Sequence, residues 1–207
     1  NVEKVLQQAS RFHQAAVRMT PLQLYKIKGK LFNRSVKVDC VIGGSGETTA
    51  KVKAYEAKKA RKMGAKELTL VLAPSLILSC AYSEIRKEVK KIKRAAKKCA
   101  VKVWVDNKYA FSTIAALARV CSDAGIDYFC VPQFSGCERL RFDLFRNCSL
   151  EISDVENLAD FKKMTGAGVR RIVTSHVSDI YLEWMKEVND GEKPPLEEKE
   201  KPELKIV

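Results

Sequence analysis

"KKARKMGAKELTLVL", residues 58–72, reads as the end of a basic helix, a glycine and a short strand. Glycine is favoured just past a helix end because the chain turns there through left-handed backbone angles. The run after it is continuously apolar rather than alternating, which suits a strand covered on both faces. The same order recurs in "ARVCSDAGIDYFCV" (118–131) and "FKKMTGAGVRRIVTS" (161–175). Further strands are predicted at 15–19, 36–43, 101–106 and, in "LFRNCSL", at 144–150. Helices are predicted at 2–13, 22–31, 48–63, 83–99, 111–123, 154–165 and 178–188. Ser153 and Glu156 have capping-box spacing, which starts one of them at 154. Strands alternating with helices imply parallel βα units. Seven strands are visible, and an eighth, upstream of residue 1, would complete a TIM (β/α)8 barrel. A doubly wound open sheet is the alternative. The expected organisation is one barrel domain over 1–188, then a charged, Pro-containing, flexible tail over 189–207.

The chain has 207 residues, 46% of them hydrophobic, enough for one sizeable core. No apolar run is long enough to span a membrane. Seven cysteines, an odd number without any C-x-x-C pair, read as reduced thiols in a cytoplasmic protein. No metal site is expected, because ligands do not cluster. The net charge of +13 is uneven. Residues 1–110 hold 25 Lys/Arg against 8 Asp/Glu, whereas residues 111–207 hold 13 against 17.

The stretch "VIGGSGETTAKVKAYEAKKARKMGAKELTLVL" (41–72) resembles the deoxyribose-phosphate aldolase family, TIM barrels that work through a Schiff-base lysine. It is similar to that family's third strand, its Gly/Thr loop, a helix carrying K-x-x-E-A, and the fourth strand. "AAVRMTP" (15–21), "VKVWVDN" (101–107), "AGIDYFCV" (124–131) and "ENLADFKKMTGAGVRRIVTS" (156–175) extend the likeness over residues 2 to about 185. Asp106 stands where the family usually has Glu.

The resemblance implies where catalytic groups should lie. The Schiff-base position in the family's sixth strand falls on Cys130, within Asp127-Tyr128-Phe129-Cys130. The second lysine, in the seventh strand, falls on Arg146, and the proton-relay aspartate of the fourth on Thr69. A thiol cannot form an iminium. A guanidinium stays protonated, and a threonine does not titrate near neutral pH. These replacements predict a silent site, with a sulfur rather than a lysine amine pointing into the cavity.

The family's phosphate-binding turns are altered too. Where the family has a Gly-Gly turn after its seventh strand, this chain continues "NCSLEIS", in which Leu150 adds bulk and Glu151 adds like charge beside an anion; Val173 replaces a glycine at the eighth, although Thr174 and Ser175 persist. Weak or absent sugar-phosphate binding is expected. Only about a dozen residues, 133–144, separate the sixth and seventh strands, so a loop or single turn is expected there.

Other chemistry is possible on paper. Lys108, just after the fifth strand, could be a relocated amine for an active lyase. Cys130 and His176 could pair at the barrel mouth with Asp106 orienting the imidazole, and Asp106, Asn107, Thr174 and Ser175 are the candidate ligand contacts. No cofactor is implied; the ligand is an unidentified small molecule or protein. Finally, "KVKAYEAKKARKM" (51–63) and "EIRKEVKKIKRAAKKC" (84–99) should be neighbouring outer helices. Lys58, Lys59, Lys62, Lys90, Lys91, Arg94, Lys97 and Lys98 would form a basic patch that could attract an anionic polymer. Val89, Ile92, Ala96 and Cys99 would face the sheet.

Overall fold

The computed structural model describes residues 2–30, 36–145 and 147–189. Beyond Asn189, the segment read as a tail lies outside the described residues. The order is α1 (Val2–Arg11), β1 (Ala16–Met19), α2 (Pro21–Ile27), a 3-10 turn (Lys28–Lys30) and β2 (Lys37–Ile42). There follow α3 (Ala50–Lys62), β3 (Glu67–Val71), α4 (Pro74–Leu78), α5 (Tyr82–Ala96), β4 (Ala100–Trp104) and α6 (Phe111–Asp123). The last elements are β5 (Tyr128–Pro132), a 3-10 segment (Cys137–Asp143), β6 (Ser149–Ser153), α7 (Leu158–Gly166), β7 (Arg171–Ile172) and α8 (Val177–Asn189).

All seven strands are parallel and pair in chain order. Such a sheet must be covered on both faces, and curling does this with one core inside the strands and another beneath the helices. The helix–glycine–strand reading holds at all three places. Gly64, Gly125 and Gly168 adopt φ of 108°, 93° and 83°, angles that any side chain would strain. Val89, Ile92, Ala96 and Cys99 are buried against the sheet as the pattern requires.

Local chemistry fixes the helix starts. Thr20 and Gln23 form a reciprocal capping box before Pro21, and Thr49 accepts from the Val52 N–H. The cap expected at Ser153 is not used. Ser153 ends β6, and Asn157 caps α7 by accepting from the Asp160 N–H. The helix therefore begins at Leu158, not 154. Sequence reading also missed α4, a five-residue helix opened by Pro74. Where a dozen residues were expected to form a loop or single turn, a 3-10 segment forms.

The largest correction concerns β6. The strand expected at 144–150 begins at Ser149, because Leu150 and Ile152 are the residues that pair with β5 and fill the core. Glu151 thus lies within the strand rather than after it. Arg146 lies outside the described residues.

Helix α3 shapes the strand ends from outside. Lys53, although it belongs to a strongly basic helix, is wholly buried. Its Nζ donates to the Val71 carbonyl at 3.0 Å and to Glu88 of α5 at 2.6 Å. One turn on, Glu56 accepts from the Gly43 N–H at 2.7 Å. Gly46 packs so closely that a Cβ there would stand 2.1 Å from the Leu72 carbonyl oxygen. Glu47 then accepts from both the N–H and hydroxyl of Ser75 at 2.8 Å. The Gly-rich loop after β2 is thereby tied to the turn after β3.

Candidate functional site

Strand periodicity places alternate residues on the concave side of the sheet. Arg18 in β1 is in register with Asp39 in β2, and Asp39 with Glu67 in β3. Thr69 pairs with Lys102 in β4, and Lys102 with Tyr128 in β5. Cys130 pairs with Glu151 in β6, and Glu151 with Arg171 in β7. Every strand therefore contributes a polar group to one buried cluster.

Lys102 is its centre. Its Nζ lies 3.1 Å from Asp39, 2.8 Å from Glu67 and 2.8 Å from Glu151, with no solvent exposure. Arg18 bonds Asp39 at 2.9 Å and also bonds Glu151. Arg171 reaches Glu67 at 2.9 Å and Glu151 at 3.4 Å. Three carboxylates face three cations, so the cluster is neutral as a whole. The Tyr128 ring lies 5.4 Å from Lys102 Nζ and 4.9 Å from the Arg171 guanidinium.

Burial and charge oppose one another here, and charge wins. Desolvation alone would raise the Asp39 carboxyl, but Lys102 and Arg18 hold it at about 2. Glu151 is likewise held below its usual range by Lys102 and Arg18 against the effect of burial. Burial would also depress the Lys102 ammonium, yet Asp39, Glu151 and Glu67 together raise it above its ordinary value.

The sequence-based candidates fare unequally. Cys130 does point into this interior, with no solvent exposure. Burial pushes its thiol well above the ordinary value and Glu151 adds to the effect; Arg18 and Lys102 only partly offset it. Thr69 is buried and donates its hydroxyl to Asp39 at 2.9 Å, so it braces the cluster. The expectation that no lysine amine occupies the interior is overturned, because Lys102 is there with three acids in reach.

Cys130 and His176 are not brought together. His176 is half exposed, its ring 3.7 Å from Asp179, and its backbone N–H donates to the Thr174 hydroxyl. Asp106 turns instead to Lys108, accepting from its backbone N–H at 3.0 Å and pairing with its Nζ at 3.4 Å. Asn107 and Ser175 are exposed and Thr174 is buried. The acid that follows β6 is Asp154, in a left-handed conformation with φ of 61°. Among the described residues, no group of three His, Cys, Asp or Glu side chains is placed to hold a metal. All seven cysteines are free. Among the described residues, no helix is long and apolar enough to cross a membrane.

Iodoacetamide should report this burial directly. We expect exposed Cys80 to be alkylated in the native protein, while Cys130 reacts only after denaturation. Peptide mapping that found Cys130 labelled under native conditions would revive the thiol-nucleophile reading.

Arg18, Asp39, Glu67, Lys102 and Arg171 were not singled out in the sequence, and Glu151 was read only as a charge at the phosphate turn. The available signal was a charged residue inside nearly every apolar strand, as in "VRM", "VDC", "VKV" and "LEI".

A curled parallel sheet with helices outside and polar side chains converging within defines an α/β barrel of the TIM type. The aldolase QR15 superposes with a TM-score of 0.83 at 24% identity, over 92% of this chain and 90% of its own. A tetrameric deoxyribose phosphate aldolase from Aeropyrum pernix gives 0.72 at 25% identity, over 90% and 84%. In sequence, a deoxyribose-phosphate aldolase from Thermoanaerobacter sp. (strain X514) is 29% identical over 201 residues, 89% of each chain. One from Mycoplasmoides pirum is 33% identical over 132 residues, 61% of this chain and 58% of that one. No family model matches the sequence. The chain is a divergent relative of the deoxyribose-phosphate aldolases.

Proposed function

We propose that this chain is a deoxyribose-phosphate aldolase-like barrel that has lost the aldolase reaction and persists as a binding or structural protein. One observation carries the reading: the Lys102 ammonium donates to Asp39 at 3.1 Å and to Glu151 at 2.8 Å, and a third carboxylate, Glu67, stands 2.8 Å away as an ion-pair partner. A Schiff base begins with a neutral amine whose lone pair attacks a carbonyl. Deprotonating Lys102 would leave three buried carboxylates facing two guanidinium groups. Cys130 holds the position that the family resemblance assigns to the Schiff-base lysine, and Glu151 is the inward-facing residue of β6. Asp154 puts a carboxylate where a sugar phosphate would approach.

A relocated lysine is the competing route to lyase activity. Lys108 has a 59% exposed side chain and faces one carboxylate, Asp106. It lacks the apolar enclosure that activates amine nucleophiles, and the nearby charge is of the wrong sign. Of the candidate ligand contacts at the mouth, Asn107 and Ser175 are exposed, whereas Thr174 is buried and Asp106 is engaged by Lys108. The seven free cysteines fit a reducing compartment, the cytoplasm.

Incubation with deoxyribose 5-phosphate, with acetaldehyde release followed by a coupled assay, tests the proposal. Cleavage should be indistinguishable from a protein-free control, with a deoxyribose-phosphate aldolase run in parallel as the positive standard. Turnover within about a hundredfold of that standard, a barrier difference of about 3 kcal/mol, would overturn it.

A further inference from the structure

The outer face of α3 and α5 carries charge that the barrel interior does not use. These two helices hold only three acids between them, Glu56, Glu84 and Glu88. Glu56 is committed to the Gly43 N–H and Glu88 to Lys53, both directed inward. Glu84 is left as the one exposed acid of the pair. Two cations, Arg86 and Lys93, are taken up by Asp123 and Asp127. Apart from buried Lys53, the remaining lysines of the two helices and Arg94 stand in solvent. Last-turn cations suit the negative end of a helix dipole. That accounts for Lys59 and Lys62 but not for Lys87, Lys90 or Lys91, which lie along the middle of α5.

A second feature adjoins this face. At the N-terminal ends of β2, β3 and β4, opposite the barrel mouth, lies a cleft of about 380 Å³. Lys37, Lys66 and Lys98 line it, with Gly64 and Ala100 between them. Its one acid, Glu67, is already neutralised from inside by Lys102 and Arg171. Helices α3 and α5 both end beside the cleft, so Lys59, Lys62 and Lys97 extend its basic rim.

We propose that the α3–α5 face and this cleft bind the phosphate backbone of a nucleic-acid duplex. The groups are lysines rather than bidentate arginines, so they act as point charges and position a backbone without reading its sequence. Tyr55 is the exposed aromatic of these helices, with Lys59 Nζ 5.3 Å from its ring centroid. One such ring does not make a stacking platform for single strands. Neutralising about five phosphates gives a log–log salt slope near −4.5, so affinity should fall about 500-fold between 50 and 200 mM salt.

Fluorescence anisotropy with a labelled random-sequence duplex tests this at both salt concentrations. A triple variant, Lys59→Glu/Lys62→Glu/Lys98→Glu, should lose at least tenfold more affinity than Lys4→Glu/Lys26→Glu/Lys186→Glu, which makes the same change in net charge elsewhere. Circular dichroism and thermal melting should show both variants folded. No binding at low salt, equal losses in the two variants, or tighter binding of a single strand or of polyglutamate would each overturn the proposal.

Discussion

Replacing Lys102 by methionine should cost about 3–5 kcal/mol of stability at pH 7, the usual penalty for removing one partner of a buried ion pair. Urea denaturation should show this as a large drop in the midpoint. The methionine fills similar volume, so lost packing contributes little. The penalty arises because Asp39, Glu67 and Glu151 would then share two guanidinium groups in an interior that excludes water. Adding Glu67→Gln should restore part of the loss, because it removes the surplus negative charge. If Lys102→Met does not accumulate as folded protein, the double variant still gives a measurable comparison.

The sign of the pH dependence follows from the carboxylates. Asp39 titrates at about 2 in the folded chain and near 3.9 when unfolded. A depressed folded value contributes stability above the unfolded pKa, and that contribution is lost as pH falls through the folded one. Glu151 acts in the same direction. Removing Lys102 raises both folded values, so the deficit of the variant should be widest above about pH 5. It should narrow as pH falls below about 4. A deficit independent of pH would point to packing instead of charge.

Much of the scaffold was legible because its signals are local. A helix needs a left-handed exit, and Gly64, Gly125 and Gly168 each mark one within a few residues of the strand they feed. The apolar stripe of α5 likewise declares its buried face. Strand β6 was misplaced because Leu144 and Phe145 look as strand-like as Leu150 and Ile152, and only pairing with β5 chooses between them. Ser153 was read as a helix cap, but the strand takes it and the cap falls to Asn157. The charged interior was the least legible part. Every strand but β5 brings one or two charges, which any local window reads as an exception in an apolar run. Their meaning arises when six strands place them within 3.4 Å of a partner. Reading Glu151 as a residue of the turn hid a buried carboxylate of that strand.

The aldolase reaction should be absent by many orders of magnitude. Aldolases of this class owe their rate to a covalent iminium that accepts an electron pair, and without it the general groups at the mouth have nothing to assist. An amine could still react slowly without completing a catalytic cycle, so turnover alone is the weaker measurement. The direct one is covalent trapping. The native protein would be incubated with acetaldehyde or deoxyribose 5-phosphate, reduced with borohydride, and mapped by peptide mass spectrometry. We expect no substrate-dependent adduct on Lys102, and on Lys108 no more than on other exposed lysines. A stoichiometric reduced adduct on Lys102 would mean that its amine gives up its proton and reaches a carbonyl despite three carboxylates, and the account of a silent barrel would be wrong.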